Sequence, residues 1–232
     1  MSSNHSAQVP LPDQSALRRI GAKLILQSDK AFPPGLRDLP DPPPFLTVLG
    51  ALPGRGLAIV GSRNPPQEAA DFAFALARVS GEPVISGLAI GIDTAAHRGA
   101  LTAGLQTAAY IGNGLAALYP EMNRALAEEI VACGGGIASA EFPDQPRSQR
   151  ALIRRDSFQA AHARAVVLVC SESDGGAMHT MRFAKELRRA RYALVAKDGP
   201  EYGGNRVALA DDATALPWNI EDALHVLYGR TS

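Results

Sequence analysis

From Leu57 onward, short apolar runs rich in β-branched residues alternate with longer segments whose apolar positions recur at three and four residues. The runs Leu57–Gly61, Val84–Ser86, Thr107–Ile111, Gly136–Ser139, Ala165–Cys170 and Tyr192–Ala196 are too short for helices, and most end at Gly or Ser, so they predict strands. Helical periodicity falls between them, over roughly 66–79, 91–103, 121–132, 148–162 and 176–190, and Asn219–Tyr228 reads as a closing helix. Strands without a polar face, separated by helices, predict an α/β fold: a doubly wound, mostly parallel sheet with helices on both faces.

The stretch up to Gly56 breaks this pattern. Proline is dense in Phe32-Pro33-Pro34-Gly35 and Asp41-Pro42-Pro43-Pro44, which predicts extended and turn structure after a frayed tail, with only Leu17 to Leu26 regular. Residues 1–56 are therefore expected to form an extension that packs on a core spanning 57–232.

Composition changes little in this picture but removes several functions. Lys plus Arg total 23 and Asp plus Glu total 23, so any nucleic-acid binding has to come from a local cluster of charge. Cys133 and Cys170 have no Cys or His ligands at metal-binding spacing, which argues against a disulfide framework and against a metal site. Neither a signal peptide nor an apolar run of spanning length is present, so a cytoplasmic protein without membrane attachment is expected.

In an open parallel sheet, ligands bind beyond the carboxyl ends of the strands, where the first amides of the following helices favour anions. Four such joints carry small or polar residues. Gly61-Ser62-Arg63 offers close backbone approach and a guanidinium suited to phosphate, or else is a plain turn with a surface arginine. Ser86-Gly87 and Gly91 lead into Asp93 and His97, which are four apart and share a helix face. They form either an acid–histidine pair at the ligand edge or a structural pair at a helix start. Gly112-Asn113-Gly114 and Gly175-Gly176 complete the set, and Arg154 and Arg155 supply basic charge. Tyr119, Phe142 and Phe158 are candidates for base stacking, with Tyr119 the best placed for exposure. No nucleophile–base set, Walker lysine loop or dinucleotide fingerprint can be assembled, so no catalytic residue and no cofactor is expected.

These residues, taken in order, resemble the DNA-processing protein A (DprA, or Smf) family from about Phe32 to Leu224. Gly61-Ser62-Arg63 stands at its GSR motif, and the segment from Ser86 to His97 matches its most distinctive motif. Gly112-Asn113-Gly114, Tyr119-Pro120, Asn123, Ser139, Glu141 and Pro143 continue the likeness. The resemblance implies an extended Rossmann-like fold that binds single-stranded DNA through a basic pocket, dimerises, and helps load a RecA-type recombinase during transformation or recombination, without catalysis.

Three departures stand out. Where the family carries an R-R-N-R-like run, this chain has Arg154-Arg155-Asp156-Ser157. Its S-G-S-x-x-T segment appears as Gly175-Gly176-Ala177-Met178-His179-Thr180, and a proline–glycine pair is replaced by Lys197-Asp198-Gly199. With the closing helix near the end of the sequence, the carboxyl-terminal winged-helix domain that many members of the resembled family carry is not expected. Two other readings are open: a sensor or hydrolase of a nucleotide-derived small molecule, as in the LOG phosphoribohydrolases, and a partner-recruiting protein with a vestigial pocket.

Overall fold

The structure, a computed structural model, describes residues 10–229; the expected frayed tail falls largely outside them. The six anticipated strands are present as β3 (Leu57–Val60), β4 (Val84–Ser86), β5 (Thr107–Tyr110), β6 (Gly136–Ser139), β7 (Ala165–Leu168) and β8 (Ala190–Leu194). Three more were not legible in the pattern: β1 (Lys23–Leu26), β2 (Phe45–Gly50) and β9 (Thr214–Leu216). Among the described residues these nine strands form one sheet, in the order β1-β2-β6-β5-β4-β3-β7-β8-β9. The strands from β3 to β9 pair in parallel, while β2 runs antiparallel to β6 and β1 antiparallel to β2. The sheet therefore crosses position 56 without a break, and the Pro-rich lead-in supplies one of its edges. The opposite edge is β9, only 3 residues long.

The helices are α1 (Gln14–Arg19), α2 (Gln67–Val79), α3 (Ile92–Thr102), α4 (Arg124–Ala132), α5 (Gln149–His162), α6 (Ala177–Glu186), α7 (Gly203–Ala210) and α8 (Ile220–Tyr228). Alternation along the strands sorts them into two layers. Leu57 and Ile59 of β3 join Val167 of β7 in a core covered by α2, α3 and α8. Ala58 and Val60 join Val166 and Leu168 in the other core, under α5, α6 and α7. This is a Rossmann-like doubly wound architecture. On the first face α2 and α3 pack closely because Gly99 has no side chain: a Cβ there would lie 2.2 Å from the Phe74 carbonyl oxygen.

α5 is the exceptional helix. Ser148 caps it, its hydroxyl accepting the Ala151 amide. Every residue from Asp156 to His162 is buried, so no face of its second half meets water. One side lies on the sheet. Another lies under the lead-in, where a Cβ on Gly35 would sit 1.9 Å from the Ala161 carbonyl oxygen, and where Phe32, Leu36 and Leu39 enter the same core. His162 ties the arrangement together. Its Nε2 donates to the Pro53 carbonyl at 3.0 Å, so its Nδ1 accepts from the Tyr110 hydroxyl at 3.0 Å. Burial pushes the imidazole down to about 4, which keeps it neutral.

Because the lead-in contributes a fully buried aromatic to this core, Phe32→Ala is expected to cost about 3–5 kcal/mol of stability. Urea unfolding measures it. A loss below 1 kcal/mol would mean that the lead-in is a detachable strap.

Candidate functional site

Strand order reverses at β3: the chain proceeds from β3 toward β6 on one side, and from β7 toward β9 on the other. Beyond the carboxyl ends of these two strands lies a cleft of about 460 Å³, at the topological switch point where open α/β sheets bind ligands. One wall is Gly61, Ser62, Arg63 and Asn64 after β3; the other is Ser171, Glu172, Asp174, Gly175 and Gly176 after β7, leading into α6. The free amides at the start of α6 give that wall a partial positive charge.

The glycines bring the joints together. A Cβ on Gly61 would lie 2.7 Å from the Cys170 carbonyl oxygen, and Gly91, at φ +82°, would place one 2.4 Å from the Ser62 carbonyl oxygen. Ser62 donates its amide to Cys170 O at 2.8 Å, and Ile92 donates its own to Ser62 O at 3.1 Å. The first turn after β3 is thus fixed by backbone bonds to both neighbouring segments.

The floor is a face of α5 carrying Gln149, Leu152, Arg155, Asp156 and Gln159. These positions are spaced by three and four residues and share one side of the helix. The Arg155 guanidinium, 11% exposed, lies between two carboxylates: its Nη1 is 3.8 Å from Asp93 Oδ2 and its Nε 3.2 Å from Asp156 Oδ1. The latter contact is an ion pair off the hydrogen-bond direction, so Nε has no hydrogen-bond acceptor. Gly87 makes room for this cluster, since a Cβ there would collide with Arg155 Nη1 and lie 2.5 Å from Asp93 Oδ2. Burial pushes the Asp156 carboxyl up to about 7; neighbouring Arg155 and Arg63 oppose that shift and Asp93 adds to it.

A second, more apolar hollow of about 250 Å³ adjoins the first and shares Arg63, Ala89, Leu152 and Arg155 with it. Ile90, Tyr119 and Met122 form its exposed rim, and the Arg147 guanidinium lies 4.5 Å from the centre of the Tyr119 ring. Gly112 and Asn113 line this hollow. Of the aromatics considered for stacking, Tyr119 and Phe142 are both exposed, Phe142 lies outside both hollows and packs edge-on against Phe45, and Phe158 belongs to the core.

Of the expected site residues, the structure brings Gly61, Ser62, Arg63, Asp93, Arg155, Gly175 and Gly176 to the cleft. Ser86, Gly87, Gly91, His97, Gly114 and Arg154 do not line it. Ser86 is buried and donates to the Ile59 carbonyl, and a Cβ on Gly114 would strike the Phe142 and Pro143 carbonyls. His97 is wholly buried, with Nε2 on the Gly87 carbonyl and Nδ1 facing the Thr107 hydroxyl. It pins the loop, and burial lowers its proton affinity. Arg154, one residue from Arg155 and so about 100° around the helix, instead turns over the Phe158 ring at 5.6 Å. Arg164, just before β7, is paired with Glu82. Sequence reasoning passed over Asn64, Asp156 and Gln159 as cleft residues; the spacing of Gln159 from Arg155 and Asp156 was the available signal.

The model of the DNA recombination-mediator protein A family matches residues 23–228. Protein Smf of Synechocystis is 32% identical over 183 residues, covering 74% of this chain and 46% of that protein. The chain spans about half the length of several curated relatives it matches. The solved structure of DNA processing protein A from Streptococcus pneumoniae superposes with a TM-score of 0.80 at 24% identity, covering 95% of this chain and 79% of that one. That of the Helicobacter pylori protein, described for its single-stranded DNA binding mode, gives 0.79 at 23%, covering 90% and 96%. These two likenesses are of fold.

Asp156 gives the fold a pH signature. The folded chain keeps this proton up to about pH 7, whereas the unfolded chain releases it near the ordinary carboxylate value, so the contribution of this group to stability falls as pH rises through that window. Asp156→Asn is expected to be more stable than the parent at pH 8, by about 1–3 kcal/mol, with the gain shrinking toward pH 4. Urea melts of both proteins at pH 5 and 8 measure this; a difference independent of pH would refute it.

Proposed function

The chain belongs to the DNA recombination-mediator protein A family, and from that premise we propose that it binds single-stranded DNA at the switch-point cleft and acts as a recombination mediator. The observation that carries the reading is the joint placement of Arg63 and Arg155 in a cleft of about 460 Å³ that opens onto an apolar hollow rimmed by Tyr119. A strand is a chain of alternating anions and flat apolar bases, and single-strand binders hold the former by guanidinium groups and the latter by aromatic faces. Arg63 is exposed and touches both hollows, which suits it to the phosphate that links two bases.

The protein in this reading performs no chemical step. A recombinase partner of the RecA type, assembly as a homodimer and a cytoplasmic location are part of the same proposal, and the family resemblance is what supports them. Among the described residues no helix is long and apolar enough to cross a membrane. The second reading is a receptor for a nucleotide-derived small molecule, favoured by the cleft volume of about 460 Å³, which lies in the range of small-molecule sites.

A fluorescent oligothymidylate, with a duplex control and a salt series, tests the reading. Binding is expected to prefer the single strand and to weaken with salt. Arg63→Glu is expected to weaken it at least tenfold, roughly the value of one charge-assisted phosphate contact. Arg154→Ala, outside the cleft, should change it less than about twofold. Absence of binding at low salt, or an Arg63→Glu protein that binds as the parent does, would overturn this function.

A further inference from the structure

Gln159 is 1% exposed, lines the floor of the cleft, and its Nε2 has no hydrogen-bond acceptor in the protein. A buried amide donor left without a partner costs about 1–3 kcal/mol, a cost that a ligand acceptor would remove. Four residues earlier on the same face, Arg155 holds two carboxylates against its single positive charge. The two acids differ in their surroundings. Asp93 lies in the first turn of α3 and its Oδ2 accepts the Ala89 amide at 3.3 Å, whereas Asp156 lies within α5, away from either helix end. The other charged groups that face this floor are Arg63 from the loop after β3, Glu172 and Asp174 from the loop after β7, and His179 on α6.

A phosphate oxygen set beside Arg155 would add a third negative charge to one buried cation. Charge balance is restored when one carboxylate takes a proton, and that group then changes from an acceptor into an O–H donor. Asp156 is the acid that accepts it, since burial already holds its proton up to about pH 7. Resting on the reading of the cleft as an anion site, we infer that the α5 floor is a phosphate subsite in which Gln159 donates its amide N–H and Asp156 binds a proton together with the phosphate. The proton comes from solvent, adds to a carboxylate oxygen, and leaves with the ligand; no covalent bond to the phosphate forms. The ligand class is a phosphate ester or anhydride, either the backbone of a strand or a free nucleotide-type anion.

The test measures affinity from pH 6 to 8.5 at fixed ionic strength with two probes, a fluorescent oligothymidylate, whose phosphodiesters do not titrate in this range, and inorganic pyrophosphate, the latter by calorimetry and with its profile corrected for that ligand's own protonation. Affinity is expected to rise on the order of tenfold from pH 8 to pH 6, the rise that proton uptake gives when the free group is already about half protonated near pH 7. Asp156→Asn should bind at pH 8 about as tightly as the parent at pH 6, with a flat profile. Gln159→Leu should lose about tenfold at every pH, and His179→Gln should keep the slope. A flat parent profile, a slope that persists in Asp156→Asn, or an unaffected Gln159→Leu protein would each overturn the subsite. If only pyrophosphate binds, with the slope, the DNA-binding function fails and the subsite stands; if neither probe binds, both fall.

Discussion

Where β3 and β7 lie side by side, the chain leaves β3 toward one edge of the sheet and leaves β7 toward the other, and their helices lie on opposite faces. Neither connection covers the gap between the two carboxyl ends. Everything placed at the cleft answers to that gap. The turn after β3 must bend back against α3, which Gly61 and Gly91 allow; the segment after β7 must open into α6, which places amides on the far wall; and α5, returning beneath the sheet, becomes the floor. The site is a consequence of strand order before it is a consequence of any side chain.

The electrostatics of the floor follow from burial. A guanidinium removed from water needs a counter-charge, and Arg155 has one on each side. The cost is that the cleft is less positive than two arginines would suggest, with Arg63 left as its exposed cation. Attraction of an anion therefore depends on the protonation of a single carboxyl and on the geometry of donors that are already in place. A surface patch of lysines would respond to salt and hardly to pH near neutrality; a floor with a buried carboxyl beside its cation is built to respond to both.

Much of the scaffold was legible. The six central strands lie where short apolar runs predicted them, because strands buried on both faces leave no other pattern. β2 was hidden by the prolines that flank it, β1 by its 4-residue length within the stretch Leu17 to Leu26 that read only as regular, and β9 by its length of 3 residues. The site was read less well. The glycine and serine joints were recognised as a group, yet half of that group serves to fit the loops together: Gly87 accommodates Arg155, Gly91 accommodates Ser62, and His97 fastens the Gly87 carbonyl. Motif residues do not announce whether they face a ligand or one another. Arg154 and Arg155, adjacent in sequence, were expected to act together, and helical geometry sends them in different directions. Gln159 carried no charge and belonged to no motif, so only the helix face revealed it.

The sheet is bounded by β1, with 4 residues, and β9, with 3. Both borders expose few unpaired backbone groups, and such brevity is a recognised defence against strand-to-strand accretion. Growth of the sheet by addition of a neighbour's strand is thereby discouraged.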